Sequence, residues 1–407
     1  MRNEIPLESL ITTILQEMKS AEFSSGTIEL YRRIFKRLSK LAKNIGIEHH
    51  SADLGRVFIE DSNYVSTGEY NHARYCYHYR CIQFIESYIE TGKVDWTPQR
   101  RPPKYPLSSE EFIHAKGCFE KEVDLKGLKV STKECYSRIV HYYLRYLEER
   151  GCDSLSKIKN GDTIAFITFI CTEHFKPTSL GSFLPGLRMF LKMFESSHRF
   201  EIELPERIPK KSEILEIYTD EEHKRICHYL ENSDISHRDK AICLLALEAG
   251  LRAIDICKIK IQDIDWHNDC IHIVQEKTKR TLNIPLKASY GNAIADYLLT
   301  ERPVSDSDNL FLHKNAPFAP FRSKGNCRDV LFKAVTGAQI EANGRSYGTR
   351  ITRHSTASRM LRHGVPLPVI SEALGHGNPN SAMIYLTTED VKLAECTLPL
   401  PSKGGSK

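Results

Sequence analysis

Two proline-bearing stretches limit how far any one helical domain in this chain can run. "TPQRRPPKYP" at 97–106 carries four prolines and "ELPERIPKKSE" at 203–213 carries two. Proline fixes its own φ, removes a backbone donor and pushes the preceding residue out of the helical region, so neither stretch continues a helix or sits inside a sheet. With polar neighbours and no apolar period, both read as linkers. They leave segments 1–96, 107–200 and 214–407, each of domain size, as a chain of 407 residues leads one to expect.

The first two segments look related. A shift of 105 residues brings Thr27, Glu29, Tyr31, Arg33, Ile34 and Gly46 onto Thr132, Glu134, Tyr136, Arg138, Ile139 and Gly151. We read this as an internal duplication. In the second copy Ile139, Tyr142, Tyr143, Tyr146 and Leu147 recur at three and four, the period of an amphipathic helix. Ser131 to Glu134 reads as a capping box and Gly151 as a stop. Each copy ends in a second helical stretch, "HARYCYHYRCIQFIESYIETG" (72–92) and "GSFLPGLRMFLKMFE" (181–195), mixing aromatic with basic residues. A core face backed by a solvated face accounts for such helices as well as a DNA-binding surface does. Both segments are expected to be small and all-helical.

The third segment changes character. "HRDKAICLLALEAGLRAIDICKIKIQDID" (237–265) is helix, glycine break, helix. "CIHIVQEKTKRTLNIPL" (270–286) alternates apolar residues at Ile271 and Ile273, then at Leu282, Ile284 and Leu286, which predicts a β-hairpin with Glu276 to Arg280 at its tip. Helical stretches follow at about 288–300, 324–340, 350–363, 367–374 and 380–386. The predicted fold is mainly α with a small β-sheet.

Composition excludes several classes. The longest apolar runs, such as "AICLLALEAGL", fall short of the roughly 18 to 20 residues of a membrane span. The opening "MRNEIPLESL" carries acids where a secretory signal would be basic and then apolar, so a cytoplasmic, nucleoid-associated protein with no membrane partner is expected. Twelve cysteines lie at irregular spacings without a Cys-x-x-Cys pair, which argues for reduced thiols. "NHARYCYHYRC" (71–81) is the one stretch where a metal site is imaginable, and an aromatic core face is the stronger reading. A formal charge of +5 permits nucleic-acid binding without demanding it. Its distribution says more: "TRITRHSTASRMLRHG" (349–364) holds four arginines, two histidines and no acid.

One set of residues in the third segment could cooperate. It comprises Arg252 after the glycine break, Lys277 at the hairpin tip, Arg350 and Arg353 three apart on one helix face, His376 behind Gly375, and Tyr385 nine residues later. Cleaving a phosphodiester without a metal requires guanidiniums to neutralise the charge that builds on the phosphate, a nucleophile, and an acid for the leaving oxygen. A phenol can attack if nearby cations and a base favour its oxyanion, and a lysine among other cations can supply the proton. Each residue alone has a structural explanation: a surface ion pair of Arg252 with Asp255, a solvated turn lysine, a solvated helix face, a cap after Gly375, a core tyrosine. The combination carries the argument.

"GLRAID" (250–255), "QEKTKRTLNIPL" (275–286), "RITRHSTASRML" (350–361) and "LGHGNPNSAMIYL" (374–386) resemble, in this order and spacing, the catalytic boxes of the tyrosine recombinases, the phage-integrase family. The resemblance covers most of 214–390. It implies a mixed α/β catalytic domain over 214–407 and a helical, SAM-like core-binding domain over 107–200. Segment 1–96 is then a duplicated core-binding-like or arm domain. It further implies that Arg252 and Arg353 form a phosphate clamp supported by Asp255, and that Lys277 protonates the 5′-hydroxyl. In the same scheme His376 bonds the phosphate, and Tyr385 forms a 3′-phosphotyrosyl link without a cofactor. Most members have His where this chain has Arg350, a donor but a poor proton acceptor; neighbouring His354 is a supporting candidate, although helix geometry turns it about 100° from Arg353. The implied partners are double-stranded DNA recombination sites, other copies of the chain in a tetrameric synaptic complex, and a DNA-bending accessory protein. The expected function is site-specific recombination or integration for a mobile element. A type IB topoisomerase-like enzyme and a DNA-binding relative without catalysis are the alternatives.

Overall fold

The computed structural model describes residues 5–64, 67–97, 105–206, 208, 215–321, 324–341, 343–345 and 347–388. The two stretches read as linkers lie largely outside these residues, as does the chain beyond 388. The described residues fall into two compact units: those within 1–60, 78–97 and 214–407 form one, and those within 61–77 and 98–213 the other. As the sequence predicts, the architecture is mainly helical with one small sheet.

The amino-terminal helices are α1 (Leu7–Ser20), α2 (Ser25–Asn44), α3 (Ala52–Glu60) and α4 (His72–Thr91). Ser24 caps α2, its hydroxyl accepting from the Thr27 N–H at 3.2 Å. Tyr31, Ile34, Phe35, Leu38 and Ala42 then recur at three and four and are all buried, in one core with Leu10, Ile14, Met18, Phe58 and Ile82. Of the stretch where a metal site is imaginable, His78 and Cys81 are buried against this core. His78 stacks on Phe58 with ring centroids 3.9 Å apart, its Nδ1 is 2.7 Å from the Phe58 carbonyl, and Cys81 is fully buried.

In the second unit lie α5 (Glu110–Leu125), α6 (Val130–Glu148), α7 (Asp162–Glu173), α8 (Leu180–Met193) and α9 (Glu195–His198). The interior of α6 repeats that of α2: Ile139, Val140, Tyr143 and Leu147 are buried at the positions matching Ile34, Phe35, Leu38 and Ala42. The expected capping box at Ser131 is not there. The helix begins at Val130, with the Lys129 carbonyl accepting from the Thr132 and Lys133 amides at 2.8 and 3.0 Å, so Ser131 lies inside the first turn. Gly151 does end the segment, at φ +76°.

Residues 215–388 contain α10 (Asp220–Asn232), α11 (His237–Leu247), α12 (Ala253–Lys258), α13 (Ala288–Asp296), α14 (Lys324–Gly337), α15 (Thr349–Arg362) and α16 (Leu367–Ala373), then a 3-10 helix at Pro379–Thr388. Residues 241–247 of α11 are all buried, which makes it the central helix, packed against α13, α14 and α15. Strands β1 (Ile264–Asp265), β2 (Cys270–Val274) and β3 (Thr281–Pro285) form an antiparallel sheet in that order. Ile271 opposes Ile284 and Ile273 opposes Leu282, so the alternation turns all four into the core and sends His272 and Asn283 outward. No helix among the described residues is long and apolar enough to cross a membrane.

Candidate active site

The site is assembled around the buried Arg353, carried on the inner face of α15. Its Nη1 donates to the Gly250 carbonyl at 3.0 Å and its Nη2 to the Leu374 carbonyl. Both acceptors lie where a helix has ended. Gly250, at φ +61°, ends the α11 segment, and a β-carbon there would lie 3.0 Å from Leu374 and 3.3 Å from Thr356. The Thr356 hydroxyl donates to the Leu247 carbonyl at 2.8 Å, holding α15 on α11.

Past the Gly250 break, Arg252 takes the cap position of α12, and the Ala253 amide donates to the Thr349 hydroxyl at 2.9 Å. Asp255 is buried on the next turn, and its Oδ1 accepts from the Glu276 amide at 2.9 Å, tying the hairpin to α12. Arg252 Nη1 and Asp255 Oδ2 lie 3.8 Å apart, too far for a hydrogen bond, and neither atom has a hydrogen-bond partner. A buried guanidinium nitrogen is thus left available to an anion. Burial pushes the Asp255 carboxyl above the usual range, against the pull of the Glu276 amide and the two arginines.

His376 is positioned by the end of α16. The Gly375 amide bonds the Glu372 carbonyl at 2.8 Å and the His376 amide bonds the Ser371 carbonyl at 2.9 Å, a Schellman closure with Gly375 at φ +64°. The imidazole stacks on the Tyr385 ring at 5.9 Å between centroids, and its Nε2 is 3.4 Å from the Tyr385 hydroxyl. The Arg353 guanidinium lies beside that hydroxyl and favours its oxyanion, and the tyrosine is 2% exposed. His354 completes the enclosure with its ring edge-on to Tyr385 at 5.8 Å.

The charges reinforce one another. Burial, then the neighbouring Arg252, lowers Arg353 to about 10, opposed by Tyr385 and Asp255. Burial, then Arg353, Arg252 and His354, lowers His376 to about 4; burial, then Arg350 and Arg353, does the same to His354. Both imidazoles are therefore neutral at pH 7. Burial raises the Tyr385 phenol although Arg353 and Arg252 pull it down, so it rests protonated. Such an arrangement suits an anion that brings the missing negative charge with it.

Of the residues singled out in the sequence, Arg252, Asp255, Arg353, His354, His376 and Tyr385 converge. Lys277, on the hairpin tip, and Arg350, on the first turn of α15, are exposed. The sequence reading missed Gln275. It is fully buried, its Nε2 donates to the Leu374 carbonyl at 3.0 Å and its Oε1 accepts from the Thr278 hydroxyl at 2.6 Å. One carbonyl, that of Leu374, thereby joins the hairpin, Arg353 and the turn that carries His376. A polar residue at the end of an otherwise apolar alternation was the only available signal.

The phage integrase family model matches residues 216–391, which contain every residue of this cluster. A Sinorhizobium fredii protein named as an integrase/recombinase, y4gC, is 34% identical over 164 residues, covering 40% of this chain and 83% of that protein. The chain belongs to the phage integrase family. Tyrosine recombinase XerA of Thermococcus onnurineus is 27% identical over 283 residues, 68% of this chain and 92% of XerA. The match to a further S. fredii relative, y4rF, covers 39% of that protein. Among solved structures, a lambda integrase dimer bound to a COC' core site superposes with a TM-score of 0.53 at 18% identity, covering 79% of this chain and 90% of that one, a likeness of fold. This family member is a tyrosine recombinase, an enzyme that breaks and rejoins DNA strands.

Proposed function

We propose that this recombinase cleaves and rejoins double-stranded DNA at specific sites through Tyr385, as the integrase of a mobile element acting in the cytoplasm. The observation that carries the reading is the enclosure of the Tyr385 hydroxyl by Arg353 and His376 beside a partnerless nitrogen of Arg252. Arg252 and Arg353 would hold the scissile phosphate and His376 would bond one of its oxygens. The Tyr385 oxygen attacks phosphorus and gives up its proton, for which the neutral His376 and His354 are the available acceptors, and the bond to the 5′ oxygen breaks. That oxygen takes a proton from Lys277, and rejoining runs the same steps backwards. Each charge and proton in this sequence has a side chain to carry it, so the scheme calls on no metal.

Residues 107–200 are read as the core-binding domain, 214–407 as the catalytic domain and 1–96 as an additional helical module. The lambda integrase structures, one of a dimer on a core site and one of a tetramer on a Holliday junction, support a multimeric complex on paired DNA sites. The similarity to proteins named recombinases favours strand exchange over supercoil relaxation. Incubation with a nicked suicide substrate is the test. A covalent protein–DNA adduct is expected from the wild type and none from Tyr385→Phe; an adduct that persists in the variant refutes the nucleophile assignment.

A further inference from the structure

The two duplicated helices share an interior and differ on the outside. At the positions where α2 carries Arg32, Arg33, Lys36, Arg37, Lys40 and Lys43, α6 carries Ser137, Arg138, His141, Tyr142, Arg145 and Glu148. All six cations of α2 are exposed. Arg32, Lys36 and Lys40 follow one another at four residues, Arg33 and Arg37 run beside them, and Lys43 extends the row, so the charges form one stripe opposite the buried row of Tyr31, Ile34, Phe35, Leu38 and Ala42. From Arg32 to Lys43 the stripe runs roughly 16 Å.

A solvated face needs charge but not segregated charge. Residues 1–96 hold twelve basic and thirteen acidic side chains, yet half of the basic ones lie on this face of one helix, whose single acid is Glu29. Glu29 pairs with Arg32 and, at 3.4 Å, with Arg33; Glu8 is 3.4 Å from Lys43. These exposed pairs are weak and give way readily to a polyanion. Lys36, Arg37 and Lys40 have no ion pair among the described residues. The repeat also shows that the fold does not require the stripe, because α6 builds the same interior without it.

Resting on the reading of this chain as a DNA recombinase, we propose that the exposed cationic face of α2 is a further DNA-binding surface, gripping duplex phosphates in addition to those held by the catalytic residues. Duplex DNA fits better than a lipid surface: an interfacial helix buries its apolar face in lipid, and the apolar face of α2 is already committed to the protein core. Contacts of this kind position the protein without reading bases.

The test uses the full chain. Equilibrium binding to a labelled duplex is measured over a range of NaCl for the wild type, for K36Q/R37Q/K40Q and for the charge-keeping K36R/R37K/K40R. Each phosphate neutralised adds about 0.9 to the slope of log affinity against log salt, so the neutral triple variant should lose about 2 to 3 from that slope, while the charge-keeping variant retains it. With saturating DNA the neutral variant should still form the Tyr385 adduct on the suicide substrate. An unchanged slope in a folded neutral variant overturns the proposal, as does an equal loss in the charge-keeping one. A wild type that binds duplex with the steep slope but forms no adduct refutes the recombinase chemistry and leaves the α2 surface standing.

Discussion

On the proposed mechanism Arg353 does two jobs that its chemistry makes inseparable. The same planar fork that would grip a phosphate closes two backbone turns, at Gly250 and Leu374. Lysine has neither the fork nor the reach to bond both carbonyls. Arg353→Lys should therefore lower strand cleavage by about 10²- to 10³-fold and also lower Tm, both read on the same preparation. Arg252 differs: with one nitrogen unpartnered and its carboxylate neighbour at 3.8 Å, it contributes little to the fold. For Arg252→Gln we expect a comparable loss of cleavage with Tm and duplex affinity nearly unchanged, and wild-type cleavage would refute its place in the clamp. Arg350 is exposed and touches the site electrostatically through His354. Arg350→His should keep or raise activity, and an inactive variant would show a specific demand for arginine. The cluster was legible because four spaced boxes each carried a distinctive residue type. His354 was harder: its direction from Arg353 says nothing about Tyr385, which reaches it from a segment 31 residues downstream.

At the scale of elements, the turn after α16 is the part least tolerant of change. A β-carbon on Gly375 would sit 2.4 Å from Gln275 Oε1, in a backbone conformation that already disfavours side chains by about 1 to 2 kcal/mol. Gly375→Ala must displace Gln275, and with it the bond that fixes the hairpin to Leu374. We expect a lower Tm and slowed cleavage, whereas Gln275→Leu should slow cleavage with less effect on Tm; wild-type rates in both would mean that the hairpin is held independently of this turn. Hairpin and helices were legible from their periods of two and three to four, which local sequence encodes. The two-residue strand β1 was not, because so short a strand has no period, and Gln275 was not, because its partner lies 99 residues away. The start of α6 was misread because a serine and a glutamate three apart fit the first turn of a helix as well as its cap.

Across the whole molecule, His223, His354 and His376 are all lowered to about 4, with burial the largest cause in each. An unfolded imidazole binds its proton near pH 6.5 and these hold out until about 4, so the unfolded state binds more protons between those values. The stability they contribute is present above about pH 6.5 and is lost as pH falls toward 4, by up to about 1.4 kcal/mol per pH unit for each imidazole. Denaturation midpoints measured from pH 7 to pH 4.5 should fall, and less steeply in His354→Gln; a flat profile would refute neutral burial. The site carries one more consequence, which follows from the hydroxyl of Tyr385 resting on Arg353. On the proposed mechanism the attacking phenol lies beside the guanidinium that its own target would need, so the free enzyme would in effect be bound to a piece of itself. Substrate capture would then be an exchange in which an incoming phosphate displaces the phenol, releasing the attacking group only at the moment something is there to attack.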